Sequence, residues 1–231
     1  MIFAAEIGLN HNGNFDLALE LIRQAKRAGA DYAKFQFGWR GQPDEMNYID
    51  LPRANRLKDY CDSIGIHFFA SIFTKEALEL ARQIAMPYYK IASRTVVDNP
   101  ELCREILSEG KPTFVSLGMW EKEGFPFGPP DGERLFYIFC RSKYPTLAAD
   151  LADFPRMFSA DGYYGYSDHC LGIEAALLAV ARGAQYIEKH FTLNKASQVI
   201  RDHALSATPD EFTRLTEHGR ALNRLVNVLN G

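Results

Sequence analysis

FDLALELIRQAKRAGADYAKFQF, residues 15–37, contains a complete change of secondary structure. Leu17, Leu21, Ile22 and Ala25 recur at three- and four-residue steps, which places them on one face of a helix over 15–28. The AGAD at 28–31 stops that helix, because glycine accepts the left-handed backbone that closes a helix end. From residue 32 the pattern becomes a short apolar and aromatic run, which predicts a strand over 32–37. A helix fed at once into a strand is the repeating unit of a parallel sheet.

The same alternation extends in both directions. Strands are expected at 2–6, 32–37, 67–71, 88–92, 113–117, 135–140, 162–166 and 185–190. Helices are expected at 15–28, 52–64, 75–85, 100–108, 149–157, 173–182 and 209–229; the last opens with Thr208 as N-cap and Pro209 in the first turn. MWEKEGFPFGPPDGE at 119–133 has too much Gly and Pro for a helix, so the unit between the fifth and sixth strands is predicted to be shortened. Eight repeats in 231 residues fit an α/β fold of the closed (β/α)8 TIM barrel type, as a single domain over 1–231, better than an open doubly wound sheet.

Charge and composition remove several classes of function. Lys plus Arg total 26 against 29 Asp plus Glu, a net charge of -3 with no basic block, so no nucleic-acid partner is expected. Apolar runs such as 175–181 fall far short of the roughly 18 residues that span a bilayer, so no membrane anchor is expected. The opening MIFAAEIGLNHNG lacks a basic start and reaches Glu6 too early for a secretory leader. Cys61, Cys103, Cys140 and Cys170 show no paired spacing and read as reduced thiols, which points to a cytoplasmic protein.

In such a barrel the reacting groups come from the carboxyl ends of the strands. Glu6, Asn10 and His11 follow the first strand, Lys34 and Gln36 end the second, and Ser71 ends the third. Lys90 and Ser93 belong to the fourth and Ser116 to the fifth, while Ser142 and Tyr144 follow the sixth. Ser167, Asp168 and His169 follow the seventh, and Glu188, Lys189 and His190 close the eighth. Lys34 in YAKFQF and Lys90 in YYKIAS are costly to bury without an anion, so the pair points to a doubly anionic ligand. The alternative is that each lysine ion-pairs with Glu6 or Glu188 in a polar barrel layer. His169 and His190, at the ends of adjacent strands, could share a divalent metal with open coordination positions; otherwise they are hydrogen-bonded structural imidazoles. The serines suit a phosphate cradle, although any turn uses serine. No GxSxG, GxxxxGK[ST] or HExxH motif occurs in the sequence.

AEIGLNHNG at 5–13, AGADYAKFQ at 28–36, YKIAS at 89–93, GKPTFVSLGM at 110–119, GYSDH at 165–169 and GAQYIEKHFTL at 183–193 resemble the sialic acid synthases, N-acetylneuraminate synthase and its relatives, over residues 3–220. The resemblance implies a metal-dependent condensation of phosphoenolpyruvate with an N-acyl-aminosugar aldehyde, giving a 2-keto sugar acid and phosphate. It implies that His169 and His190 hold Mn2+ or Mg2+ and that Glu6 is the general acid/base. Lys34 and Lys90 would hold phosphoenolpyruvate, with Ser93, Ser116 and Ser167 around its phosphate. Asp202 would lie near sugar and metal, Gln36 and Tyr144 would face the sugar, and Asn10, Ser71 and Ser142 would complete the substrate contacts.

Ile72, Arg94-Thr95, SLGM at 116–119 and Arg141-Ser142 depart from the family's usual residues, and the family's small C-terminal antifreeze-like domain has no counterpart before Gly231. A homodimer is expected by the resemblance, and a separate lid chain would answer the missing domain. Two other expectations follow from these departures: a binding subunit without turnover, and a metal-dependent aldolase or lyase on the same barrel.

Overall fold

The computed structural model describes residues 1–39 and 45–230. Its eight parallel strands close on themselves in chain order: β1 (Ile2–Glu6), β2 (Tyr32–Phe37), β3 (His67–Ile72), β4 (Tyr89–Ile91), β5 (Thr113–Ser116), β6 (Leu135–Cys140), β7 (Tyr163–Asp168) and β8 (Tyr186–His190). β1 pairs with both β2 and β8, which closes the ring and excludes the open sheet. The helices are α1 (Phe15–Arg27), α2 (Leu51–Ile64), α3 (Lys75–Gln83), α4 (Ser93–Asp98), α5 (Pro100–Ser108), α6 (Glu174–Ala181) and α7 (Pro209–Asn230).

Local chemistry sets the helix ends. Asn14 accepts from the backbone N–H groups of Asp16 and Leu17 to cap α1, and Asp50, Thr74 and Asn99 cap α2, α3 and α5 in the same way. Ala18, Leu21, Ile22 and Ala25 are the buried stripe of α1. On the strands, period two sorts side chains between the helix layer and the barrel interior.

The interior has an aromatic floor. Tyr32 meets Phe69 at 5.2 Å between ring centroids, Phe69 meets Phe114 at 6.1 Å, and Phe114 stacks on Tyr186 at 4.6 Å. Two residues further along the same strands, the same face carries Lys34, Ser71, Ser116 and Glu188. The polar layer therefore rests on stacked rings and opens only toward the carboxyl ends. Gly165 lets the two last strands approach, since a Cβ there would overlap the Tyr186 carbonyl oxygen.

Three expectations are corrected. Helix 149–157 is reduced to one 3-10 turn, Ala148–Leu151; Pro155 removes a donor and turns Phe154 away from helical backbone. A short helix, α4, starts directly after β4, and Asn99 before Pro100 separates it from α5. A second 3-10 turn, Arg201–Leu205, was not anticipated. The segment 119–133 carries no helix, as expected. All four cysteines are free and buried. Among the described residues no helix is long and apolar enough to cross a membrane.

Candidate functional site

A cavity of about 690 Å³ opens at the carboxyl ends of the strands. Of the residues read as site candidates, Glu6, Lys34, Gln36, Ser71 and Lys90 line it from the first four strands. Ser93, Ser116, Ser142, Tyr144, Ser167, His169, His190 and Asp202 line the rest. Asn10 does not. Its amide donates to the Phe191 carbonyl at 3.0 Å and to Ser206 Oγ at 2.9 Å, so it ties the β1 turn to the chain after β8 behind the wall. Its reading as a substrate contact is corrected to that of a strut.

Register brings the charges together. Glu6 is paired with Lys34 on one side and His190 on the other, and Ser71 with Lys90. Lys34 Nζ lies 2.5 Å from Glu6 Oε2 and 3.4 Å from Glu188 Oε1, and donates to Ser71 Oγ at 3.1 Å. Lys90 Nζ donates to Ser116 Oγ at 2.5 Å and stands 4.0 Å from Glu188 Oε2. Glu188 also accepts from Ser167 Oγ at 2.9 Å and Tyr186 Oη at 2.5 Å. The ion-pair alternative for the lysines holds, and both also line the open pocket.

Burial and the neighbouring charges together set the protonation states. Burial pushes Glu6 up to about 7, against the opposing pull of Lys34. Burial also works to raise Glu188, but Lys34, Lys90 and two hydroxyl donors overcome it and hold this carboxyl down to about 2. Burial lowers Lys90, whereas Lys34 is raised because Glu188 and Glu6 outweigh its desolvation. When Glu6 is protonated, Lys34 and Lys90 share the one carboxylate of Glu188.

The imidazoles stand side by side, His169 and His190 with ring centroids 5.5 Å apart. His169 Nδ1 donates to the Arg141 carbonyl at 2.6 Å, which leaves its Nε2 as the free lone pair. His190 Nδ1 is buried without a hydrogen-bond partner among the described residues, and so is Asp202 Oδ1. Burial holds the rings at about 4 and about 3, so both are neutral donors near pH 7. Tyr144 packs on His169 at 4.3 Å. Two neutral imidazoles side by side, with the His169 Nε2 lone pair free and His190 Nδ1 unpartnered among the described residues, fit the donor chemistry of a divalent cation. Among the described residues no group of three or more His, Cys, Asp or Glu is gathered to hold one, so a two-imidazole site would leave positions for water and substrate oxygen.

Several lining residues escaped the sequence reading. Glu188 was seen as an ion partner but not as a site residue, although it shares a strand face with His190. Trp39, Arg94, Cys140, Gln198 and Arg201 also line the cavity. Trp39 and Arg94 follow β2 and β4 directly, so their position after a strand was the available signal. Gln198 and Arg201 sit in a polar stretch with no periodic pattern and gave none.

The fold and pocket define a closed (β/α)8 barrel with a buried, cation-bearing site at its carboxyl end. The chain belongs to the NeuB family, which matches residues 42–228. It is 30% identical to the N-acetylneuraminate-9-phosphate synthase of Mus musculus, over 95% of this chain and 69% of that protein. It is 32% identical to a pseudaminic acid synthase of Campylobacter jejuni subsp. jejuni, over 92% of this chain and 71% of that protein. The crystal structure of N-acetylneuraminic acid (sialic acid) synthetase from Leptospira borgpetersenii serovar Hardjo-bovis in complex with citrate superposes with a TM-score of 0.85 at 28% identity, covering 97% of this chain and 84% of that one.

Proposed function

We propose that the protein condenses phosphoenolpyruvate with the open-chain aldehyde of an N-acyl-aminosugar, releasing phosphate and a sialic-acid-like 2-keto sugar acid. The observation that carries this reading is the pair of buried ammonium groups, Lys34 and Lys90, around the single low-pKa carboxylate of Glu188. A small ligand with a carboxylate and a phosphate complements the two lysines at the floor of the open pocket. Relatives named as synthases of sialic, legionaminic and pseudaminic acids support the product class.

Lys34 and Lys90 bind and orient phosphoenolpyruvate, with the hydroxyls of Ser71, Ser93, Ser116 and Ser167 within the same wall. A divalent Mn2+ or Mg2+ fits at His169 and His190, with Asp202 close by, and the chemistry it would supply is polarisation of the aldehyde carbonyl. The new C–C bond joins the methylene carbon of phosphoenolpyruvate to the aldehyde carbon, and the aldehyde oxygen takes a proton. Glu6, half protonated near neutrality and steadied by Gln36 Nε2 at 2.8 Å, is the group that gives it. Water adds to the former enol carbon, and phosphate leaves with its bridging oxygen. Gln36 and Tyr144 face the sugar from β2 and β6.

The test is to incubate protein, Mn2+ and phosphoenolpyruvate with a panel of N-acyl-aminosugars and measure phosphate and 2-keto acid together. Equal amounts of both, dependent on the sugar, support the reading. Phosphoenolpyruvate binding with neither product across the panel overturns it in favour of a non-catalytic binding subunit.

A further inference from the structure

The two lysines of the pocket wall are engaged unequally. Lys34 Nζ is surrounded by Glu6 Oε2 at 2.5 Å, Ser71 Oγ at 3.1 Å and Glu188 Oε1 at 3.4 Å. Lys90 Nζ, as deeply buried, donates to Ser116 Oγ and makes only a long ion pair with Glu188 Oε2, at 4.0 Å. An ammonium carries three donors, and a hydrogen bond to a carboxylate closes at about 2.8 Å. Lys90 therefore keeps N–H groups that nothing among the described residues accepts, and it lines the cavity.

What keeps this ammonium out of contact with an ionised oxygen lies one layer down. Tyr186 and Glu188 are two residues apart on β8, so both point into the barrel. The Tyr186 ring belongs to the aromatic floor, stacked on Phe114 with the two planes 22° apart, and its hydroxyl donates to Glu188 Oε2 at 2.5 Å. Ser167 Oγ donates to the other oxygen, Oε1, at 2.9 Å. Each carboxylate oxygen is thus served by a neutral hydroxyl, and the carboxyl plane is fixed from both sides. Tyr186 is fully buried and does not line the cavity, so it reaches the ligand site through Glu188. Without its hydroxyl, Oε2 becomes a buried charged oxygen that has lost its donor, a state that costs more than the bond itself contributed. Lys90 is the ammonium facing that oxygen, and a shift of about 1 Å brings the two into contact. A lysine drawn into a contact ion pair is lost to an anionic ligand.

Resting on the phosphoenolpyruvate reading above, we infer that Tyr186 is a positioning residue: by holding Glu188 Oε2 with its hydroxyl, it keeps Lys90 out of contact with the carboxylate and available to the anionic ligand. The test is calorimetric titration of the full chain with phosphoenolpyruvate in the wild type, Tyr186→Phe and Tyr166→Phe. Tyr186→Phe keeps the ring and its stack and removes one oxygen. Tyr166→Phe removes a buried hydroxyl outside the cavity, the one that donates to Asp168 Oδ1 at 3.1 Å, and so reports what such a loss does by itself. Tyr186→Phe is expected to weaken phosphoenolpyruvate binding by about tenfold, the scale of one charge-assisted contact, and Tyr166→Phe by less than about twofold. In Glu188→Gln, which has no ionised oxygen to draw Lys90, adding Tyr186→Phe is expected to change affinity by less than about twofold. That background also carries the test where Tyr186→Phe does not fold by itself, because the neutral amide leaves no buried charge unpaired. Affinity retained or increased in Tyr186→Phe overturns the inference and leaves phosphoenolpyruvate binding intact. An equal loss in Tyr166→Phe, or a loss of the same size in the Glu188→Gln background, does so too. No binding by the wild type overturns the phosphoenolpyruvate reading and the inference with it.

Discussion

The Lys34 ammonium lies 2.5 Å from the Glu6 carboxylate at matched positions of β1 and β2, both side chains being almost fully buried. The pair is one salt bridge, and in the proposed condensation its two members have separate tasks, because burial keeps Glu6 near its titration point while the lysine stays charged. Removing one partner of a buried pair exposes the other to an uncompensated charge. Lys34→Met should therefore lower stability by about 3 kcal/mol at pH 8, and by less at pH 6, where Glu6 takes up a proton. Urea denaturation at the two pH values checks this; equal losses at both would contradict it.

The imidazole pair gives a prediction about metal. His190→Ala should fold with an unchanged far-ultraviolet spectrum and lose Mn2+ binding by a factor of at least about 10, with turnover falling in parallel. Manganese electron paramagnetic resonance reads the binding without relying on activity. Chelation of the wild type should abolish 2-keto acid formation reversibly; unaltered binding in the variant would remove His190 from the cation site.

A histidine outside the pocket adds to the acid sensitivity that His169 and His190 also confer. His11 packs 5.0 Å from Phe15 and 6.1 Å from Phe35, and both its ring nitrogens are buried without a hydrogen-bond partner among the described residues. Burial lowers it to about 4, against 6.5 when unfolded. The unfolded chain thus binds more protons between these values, so stability is present above pH 6.5 and falls by up to about 3 kcal/mol as pH drops to 4. His11→Phe, apolar and of similar shape, should reduce that acid slope by the His11 share and leave stability near pH 7 equal or higher. Thermal denaturation from pH 4 to 8 measures it, and an unaltered slope would assign the effect elsewhere.

The outward face of the last two strands holds a second ion pair. Lys189 Nζ is 2.9 Å from Asp168 Oδ2 with both side chains fully buried, and Tyr166 Oη and the Cys170 N–H also donate to Asp168. Lys189→Met should cost about 3 to 5 kcal/mol of stability. Since Lys189 does not line the cavity, phosphoenolpyruvate affinity in the folded fraction should persist. Chemical denaturation with calorimetric titration separates the two quantities.

The barrel was legible because its evidence is periodic. Residues 15–37 alone switch from a helical to a strand pattern, and seven further strands recur with similar spacing. The misreadings have local causes. β7 runs to Asp168, two residues past expectation, because Ser167 and Asp168 look like a turn in sequence yet one serves the polar barrel layer and the other the buried pair with Lys189. Residues 149–157 carry helical composition, but Phe154-Pro155 stops the helix before it packs.

The cavity lining was legible where polar side chains sat at strand ends, as with Lys34, Lys90, His169 and His190. Asp202 was reachable only through family resemblance, since the 3-10 turn that carries it shows no period. Asn10 shared the polarity of its neighbours and was misplaced for that reason.

Isotopic labelling tests the central claim most directly. Phosphoenolpyruvate carrying 18O in the bridge between its enol carbon and phosphorus should, during turnover with the accepted aminosugar, deliver the label to inorganic phosphate, with the keto oxygen coming from water. Label retained in the 2-keto acid would mean cleavage at phosphorus, and would contradict the addition of water at the carbon held between Lys34, Lys90 and Glu6.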